Sequence, residues 1–497
     1  MNMKKCIIFL AMLILTVLAL VACKQEIRED PQVSTQDGTV DMNKEVLETT
    51  ATVEVDNESL WVLVDGNDAL ASLAEKMIEQ FREIQPNIQV KIQRLSIDNE
   101  ELRNIQMQQL RTQIMAGKGP DVYLVPSTLY AGENLIQDPE LAMRNGLFED
   151  ISEYYDADED LKKEDLVTAV MDAGVVDDAR YILPLRYDMP IAYVDVAQFE
   201  VQGGSLDMFE GGITNLLDQL LASGNPELSV CGSVSWTAMR SFSLNFYPQL
   251  VDYDNQELLL TSEDMMPFLQ SVQNIRAAQT IAKKDGIYIS QPPVLNLYIQ
   301  DGIYWNQAVS MYIGRMQDIP LNATFSKAYD VEIVMVPVAA ADGDLVADVT
   351  YYGAVGYGCD NVELAYELLR IFLTEDAQWE HNKDTVHNGM ANYCGWPVRA
   401  KYDEDTLDKQ VEYYVLTHAG DSTKQAELKD VAVAQDDFLV LDAQIDRTQF
   451  LSKYEIDFHR NIIEQLNAPN TGEIQTVDIE SLLEEFLDEL KWHLAEG

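Results

Sequence analysis

Between Leu60 and Val125 the hydrophobic period of the chain changes from strand to helix and back twice, a pattern that few folds accommodate. Leu60 to Val64 form a continuous apolar run, LWVLV, stopped by Asp65 and Gly66, as in a strand covered on both faces. Leu70, Leu73, Ala74, Met77, Ile78 and Phe81 then recur at intervals of three and four, which predicts an amphipathic helix ended by Pro86. Ile88 to Leu95 alternates as a second strand. A second helix starts at Asn99, with Glu100 and Glu101 in its first turn, and stops at Gly117, a C-cap. Gly119 and Pro120 force a turn into Val122 to Val125, a third short strand. Strand, helix, strand, helix, strand in this order requires crossovers, hence a parallel sheet with helices packed on it. Such sheets bind ligands at the carboxyl edge of their strands.

The remaining sequence is long enough for more than one core. The chain has 497 residues, 47% of them hydrophobic, which suffices for at least two packed domains. DDARYILPLRYDMPIAYVDVAQF, from Asp177, reads as an extended crossing rich in Tyr, Ile and Val. Helical, loop-rich sequence follows from about Gly211 to Lys284. A strand, VEIVMVPV, precedes VADVTYYGAVGYGC; Asn361 to Trp379 is amphipathic, and DIESLLEEFLDELKWHLAEG is a last helix with an acidic face. No internal repeat is present.

Charge narrows the function classes. With 34 basic and 84 acidic residues the formal net charge is −50, so a nucleic acid or an anionic lipid surface would repel the chain at every approach. A solvated acidic surface accounts for the charge without a special role. Five cysteines occur, at 6, 23, 231, 359 and 394. Setting aside Cys6 and Cys23 leaves three, too few for a disulfide framework; Cys359 and Cys394 could pair or remain buried thiols.

Lys4 and Lys5 precede an apolar run, Ile7 to Ala22, of about sixteen residues, or roughly 24 Å as a helix against a hydrocarbon core of roughly 30 Å. An export signal fits better than a permanent span. Leu-Val-Ala-Cys at its end resembles the bacterial lipobox, which implies diacylglycerol on the Cys23 thiol, signal cleavage after residue 22, and lipid anchoring at the outer face of the cell membrane. Residues 23–58, acidic and without an aromatic residue, cannot bury enough apolar surface to fold and read as a tether.

The order of elements is similar to that of extracellular solute-binding proteins of ABC importers, the sugar-type family 1 class. The resembling stretches are LWVLVDG, FREIQPNIQV, QIMAGKGPDVYLV, LFEDISEYY, RYILPLRYDMPIAY, AVSMYIGRM and ELAYELLRIFLTEDAQ, spanning about residues 60 to 400. Asp178, Ala179 and Arg180 stand where an Asp-Gly-Lys turn is common. The resemblance implies an α/β, two-lobed periplasmic-binding-protein-like fold (type II), each lobe a sheet flanked by helices, joined by crossing hinge strands around a ligand cleft. The expected division is 59–186 in lobe 1, 187–312 in lobe 2, 313–350 back in lobe 1, and 351–497 in lobe 2.

Cleft residues are then expected after strands and along crossings. Asn67 and Asp68 follow the first strand, where capping the next helix is the competing role. Ser127 and Tyr130 follow the third. Tyr187 and Asp188 lie on the first crossing beside Arg186, with which Asp188 could simply pair. Trp236 could be a platform for a sugar ring or a core residue. Tyr312 and Arg315, Tyr351 and Tyr352, and Trp396 complete the set. Aromatic rings mixed with Asp, Asn and Arg suit hydroxyls, which both donate and accept.

Catalytic signals are poor. His381, His387, His418, His459 and His493 stand in no HExxH or triad-like setting, and no GxSxG or P-loop occurs. DADEDLKKED, from Asp156, imitates a calcium loop but has Leu161 where glycine is needed and no glutamate at the twelfth place. The reading that emerges is a monomeric, lipid-anchored receptor with no cofactor, metal or catalysis, delivering a mono- or oligosaccharide to the permease of an ABC importer. A surface lipoprotein sensing a ligand for a signalling partner and a secreted glycan-active hydrolase are the alternatives.

Overall fold

The computed structural model describes residues 59–66, 68–97, 99–127, 134–224, 243–247, 249–284, 311–315, 332–375, 377–378, 395–400, 442, 444–453 and 478–496. Its first half follows the hydrophobic pattern closely. Strand β1 (Ser59–Val64), helix α1 (Asp68–Ile84), strand β2 (Gln89–Arg94), helix α2 (Glu100–Met115) and strand β3 (Val122–Pro126) succeed one another, and β1 pairs in parallel with both β2 and β3. Local chemistry sets the ends of α2. The Asn99 side chain accepts from the Leu102 N–H at 3.0 Å, and Gly117, at φ +66°, closes the helix while the Lys118 N–H reaches the Gln113 carbonyl at 2.9 Å.

The sheet is completed by chain that has first travelled elsewhere. Strand β4 (Ile182–Asp188) leads after one residue into β5 (Pro190–Asp195), which pairs antiparallel with β6 (Met311–Arg315) and β7 (Ile333–Pro337) in a separate three-stranded sheet. The chain then returns as β8 (Val346–Val355), inserted antiparallel between β3 and β4. β9 (Trp396–Pro397) extends the edge beyond β4, and β10 (Arg447–Gln449) runs parallel to the start of β8. The large sheet therefore has the order β9-β4-β8-β3-β1-β2, with β10 beside β8.

Two hydrophobic cores form around these sheets. The first gathers the large sheet, α1, α2 and helix α5 (Val362–Ile371). The second gathers helices α3 (Gly212–Ala222), α4 (Ser262–Lys284) and α6 (Ile479–Glu496). Strand β5 belongs to both. Because successive strand residues face opposite ways, Ile191 and Tyr193 enter the first core, while Ala192 and Val194 enter the second. The three-stranded sheet is thus the shared wall of two lobes. The chain passes between cores at 188–190, between β7 and β8, and again at Phe450 and Leu451, which lie in the first and second core respectively.

Beyond residue 350 the chain first stays with the large sheet. β8 is held between β3 and β4, and α5 packs on it through Leu364, Leu368 and Leu369, so this return passage stays in the first core. Only from Leu451 onward do the described residues join the second core. A close approach marks the second lobe's attachment: Gly212, at φ +83°, places its α-carbon where a β-carbon would lie 1.9 Å from the Ala340 carbonyl oxygen. Only glycine fits there.

Leu369 and Leu217 are each 0% exposed, one in each core, whereas Ile84 is 65% exposed at the end of α1. Leu369→Ala and Leu217→Ala should each cost about 2–5 kcal/mol in denaturant titration, and Ile84→Ala should stay within about 0.5 kcal/mol.

Candidate functional site

At the carboxyl edge of the parallel strands, the polar side chains of Asp65 and Ser127 are already engaged. Asp65, directly after β1, is buried and forms a two-pronged ion pair with Arg103, both N···O distances being 2.8 Å. Ser127, directly after β3, is buried too. Its hydroxyl donates to the Val349 carbonyl, its backbone N–H reaches the Thr350 carbonyl at 3.2 Å, and its own carbonyl accepts from Asn134 at 2.7 Å. Ser127 therefore ties the end of β3 to β8.

The end of β4 carries a second polar group. The Tyr187 hydroxyl donates to the carboxylate of Asp442, a residue far away in sequence. Burial pushes the Asp442 carboxyl up to about 7, the hydrogen bond from Tyr187 opposing that shift only in part. Its other oxygen has no hydrogen-bond partner among the described residues. Asp188 accepts from the Met189 N–H at 3.0 Å at the crossing into β5, and lies opposite Asp348, whose carboxylate accepts from Gln449 at 2.9 Å. Trp396 pairs with Tyr187 across β9 and β4 and is buried. Arg186 donates to the Gln378 carbonyl at 2.8 Å, so the neighbour of Asp188 has acceptors of its own.

Of the residues singled out from sequence, the fold gathers Tyr187, Asp188 and Trp396 at the lobe junction, with Tyr351 and Tyr352 on the adjoining strand. All five are buried in this arrangement. Tyr352 stacks edge-on against Phe450 at 5.5 Å, as a core aromatic does. Tyr312 lies opposite Tyr193, and Arg315 opposite Pro190, in the three-stranded sheet. Asp68 opens α1. Asn67, Tyr130 and Trp236 fall outside the described residues, as do Cys23, Cys231 and Cys394. Cys359 is a free thiol that burial, beside Asp121, pushes up to about 12, so it stays protonated at neutral pH. In the calcium-like stretch, the Asp158 carboxylate is taken by Arg370 at 2.8 Å and by the Tyr366 hydroxyl at 2.9 Å.

An open groove lies beside this junction, and none of the residues expected from sequence lines it. Its volume is about 280 Å³. One wall is the short helix Pro139–Arg144, through Glu140 and Arg144; the other is residues 249–254; the floor is Arg447 to Leu451 of β10 and the third crossing. Arg144 is held by Glu140 at 2.8 Å and by Asp254 at 2.7 Å across the groove. Burial raises the Glu140 carboxyl above its ordinary value, with Arg144 pulling the other way. The Arg447 guanidinium bonds to Gln449 at 2.9 Å and to the Tyr247 carbonyl at 3.1 Å. Donors and acceptors thus alternate around a space bounded by Tyr253 and Phe450. Asp252 and Asn255 form a polar turn, and that local signal in VDYDNQE was the sole trace of the groove in sequence.

Comparison with known proteins bears on this geometry. Residues 66–379 match the family described as bacterial extracellular solute-binding protein. Among solved structures, an extracellular solute-binding protein family 1 member from Alicyclobacillus acidocaldarius superposes with a TM-score of 0.50 at 11% identity, covering 88% of this chain and 98% of its own. A de novo designed cysteine esterase gives 0.52 at 14% identity, with 88% and 98% covered. The ABC substrate-binding protein Lmo0181 of Listeria monocytogenes, solved with cycloalternan, gives 0.49 at 13% identity, with 88% and 100% covered. At these identities the first two likenesses are of fold alone. No curated protein matches the chain in sequence.

The Asp442 carboxyl supplies a pH test. Its folded value near 7 lies above the roughly 3.9 of an unfolded aspartate, so the folded state holds more protons between the two. The stability this group contributes is complete below about pH 4 and is lost as pH rises through about 7. Denaturant titration of the parent and of Asp442→Asn across that window should show the parent losing stability relative to the variant.

Proposed function

The chain belongs to the bacterial extracellular solute-binding proteins, and from that premise we propose that it is a lipid-anchored receptor delivering a small carbohydrate to an ABC importer. The observation that carries the reading is the pairing of two cores on one shared three-stranded sheet, with a polar groove of about 280 Å³ opening beside the crossings. A solute that touches both walls stabilises the arrangement in which the walls are close. A permease that prefers this arrangement then meets loaded receptors preferentially.

The lining favours a neutral, polyhydroxylated solute. Arg144 is balanced by Glu140 and Asp254, and Arg447 lies 3.9 Å from Asp344, so neither cation demands an anionic ligand. Gln249, Gln449 and the guanidiniums donate, Glu140 and Asp252 accept, and a sugar hydroxyl does both. Tyr253 and Phe450 offer rings against which the apolar face of a sugar can lie. Tyr187, Asp188 and Trp396, next to the crossings, are proposed to line the inner end of the same cleft when the lobes part. The protein acts as a monomer, has no chemistry of its own, and is held outside the cell by acyl chains on Cys23 through the residue 23–58 tether.

A thermal-shift screen of mono- and oligosaccharides, with peptides and polyamines as the contrasting panel, tests the ligand class. A cognate sugar at a hundred times its dissociation constant should stabilise the protein by about 2.7 kcal/mol. Response only to peptides or polyamines would overturn the carbohydrate assignment, and release of sugar from a glycan would replace it with a hydrolase. Anchoring has its own test. The parent should partition with membranes and carry a lipid-modified Cys23 by mass spectrometry, and Cys23→Ala should be released into the medium.

A further inference from the structure

Asp138 sits at a position that its own helix does not fully explain. It caps the short helix Pro139–Arg144, accepting from the Leu141 N–H at 3.0 Å through one carboxylate oxygen. The second oxygen turns away from that helix. It accepts from the Tyr253 hydroxyl at 3.2 Å and lies 3.2 Å from His493 Nε2. The Asp138 side chain is only 5% exposed, so these contacts are made largely out of water, where bonds to a carboxylate are strong.

The partners come from different lobes. Met143, one turn along from Asp138, is part of the first core. Tyr253 packs against the second core, and His493 lies on α6 between Leu490 and Leu494, both in the second core. Alongside, Arg144 reaches Asp254 at 2.7 Å and lies over the Tyr253 ring at 5.9 Å. That outer pair is weakly held, because the Asp254 side chain is 72% exposed and well screened. The buried contacts on Asp138 carry the tie.

We propose that Asp138, Tyr253 and His493 form a clasp between the lobes, which holds the arrangement seen here and sets how readily the groove opens before any solute arrives. The clasp is reciprocal. Parting the lobes strips a buried carboxylate of two partners at once, whereas the bond to Leu141 survives because it lies within one helix. Hydrogen bonds to a charged group are of the size that moves a two-state equilibrium about tenfold. Because Asp138, Tyr253 and His493 all belong to the chain itself, the clasp biases the lobe equilibrium whatever the solute proves to be.

The experiment compares the solute-free full chain with Tyr253→Phe, His493→Ala, the double variant, and Asp138→Asn, which keeps a capping side chain while removing the charge. Small-angle scattering reads lobe separation, and amide exchange reads residues 138–144 and 251–258. The expected result is a larger radius of gyration and about tenfold faster exchange in the double variant, with Asp138→Asn in the same direction and Asp254→Asn close to the parent. Scattering profiles that superimpose, with unchanged exchange in folded Tyr253→Phe and Asp138→Asn, would overturn the clasp and leave Asp138 as a helix cap. Tyr253→Phe removes a single oxygen atom, so its result decides the matter if the double variant fails to fold. None of these readouts involves a sugar, so they stand apart from the ligand assignment.

Discussion

Everything in this structure hangs on the six residues of β5. A strand points neighbouring side chains in opposite directions, and here those directions lead to different hydrophobic cores. Ile191 and Tyr193 face one and Ala192 and Val194 the other, so neither lobe can leave the shared sheet without exposing apolar surface. The chain crosses from one core to the other in short passages, at 188–190, between β7 and β8, and around Phe450. Short crossings beside one common support are the arrangement that hinge closure uses.

The acidity of the chain shapes what lies around that support. A molecule with 84 carboxylates and 34 cations must satisfy any acid it buries. The arginines are placed accordingly: Arg103 on Asp65, Arg399 on Asp165, Arg370 on Asp158. These pairs brace the first lobe. At the lobe boundary, beside the Arg144–Asp254 pair, two buried carboxylates meet tyrosine hydroxyls and a histidine, as at Asp442 and Asp138. Softer partners at the boundary than in the interior suit a contact that has to break and re-form.

How much of this was legible in the sequence varied with the range of the interactions. The β1 to β3 succession was readable because burial on two faces and amphipathic helices leave periodic traces within about twenty residues. The hairpin at Asp177 and Asp178 fits its local sequence too, both residues lying at positive φ, a conformation aspartate tolerates. The course of β8 past residue 350, within the first sheet, was not readable. VADVTYYGAVGYGC would suit either lobe, and pairing with β3 and β4 is a contact between strands far apart in the chain. The site divided likewise. Tyr187 and Asp188 stand out in the sequence on the first crossing and Trp396 as an aromatic near the second lobe's cleft edge, and Trp396 lies in the first core beside Tyr187. Asp442, Asp138 and the walls of the groove were missed, since their partners, Tyr187 for Asp442 and Tyr253 and His493 for Asp138, are far away in the chain.

Sequence by itself determined the type of secondary structure, the presence of two cores' worth of apolar residues, the family, and the unsuitability of the surface for polyanions. These follow from composition and short-range period, which act through local sterics and the removal of side chains from water. Tertiary structure alone decided which lobe each returning segment joins, which carboxylates are buried, and where the groove opens. Those depend on which distant strands share hydrogen bonds, and the energy of such a pairing belongs to both partners at once, so it cannot be read from either.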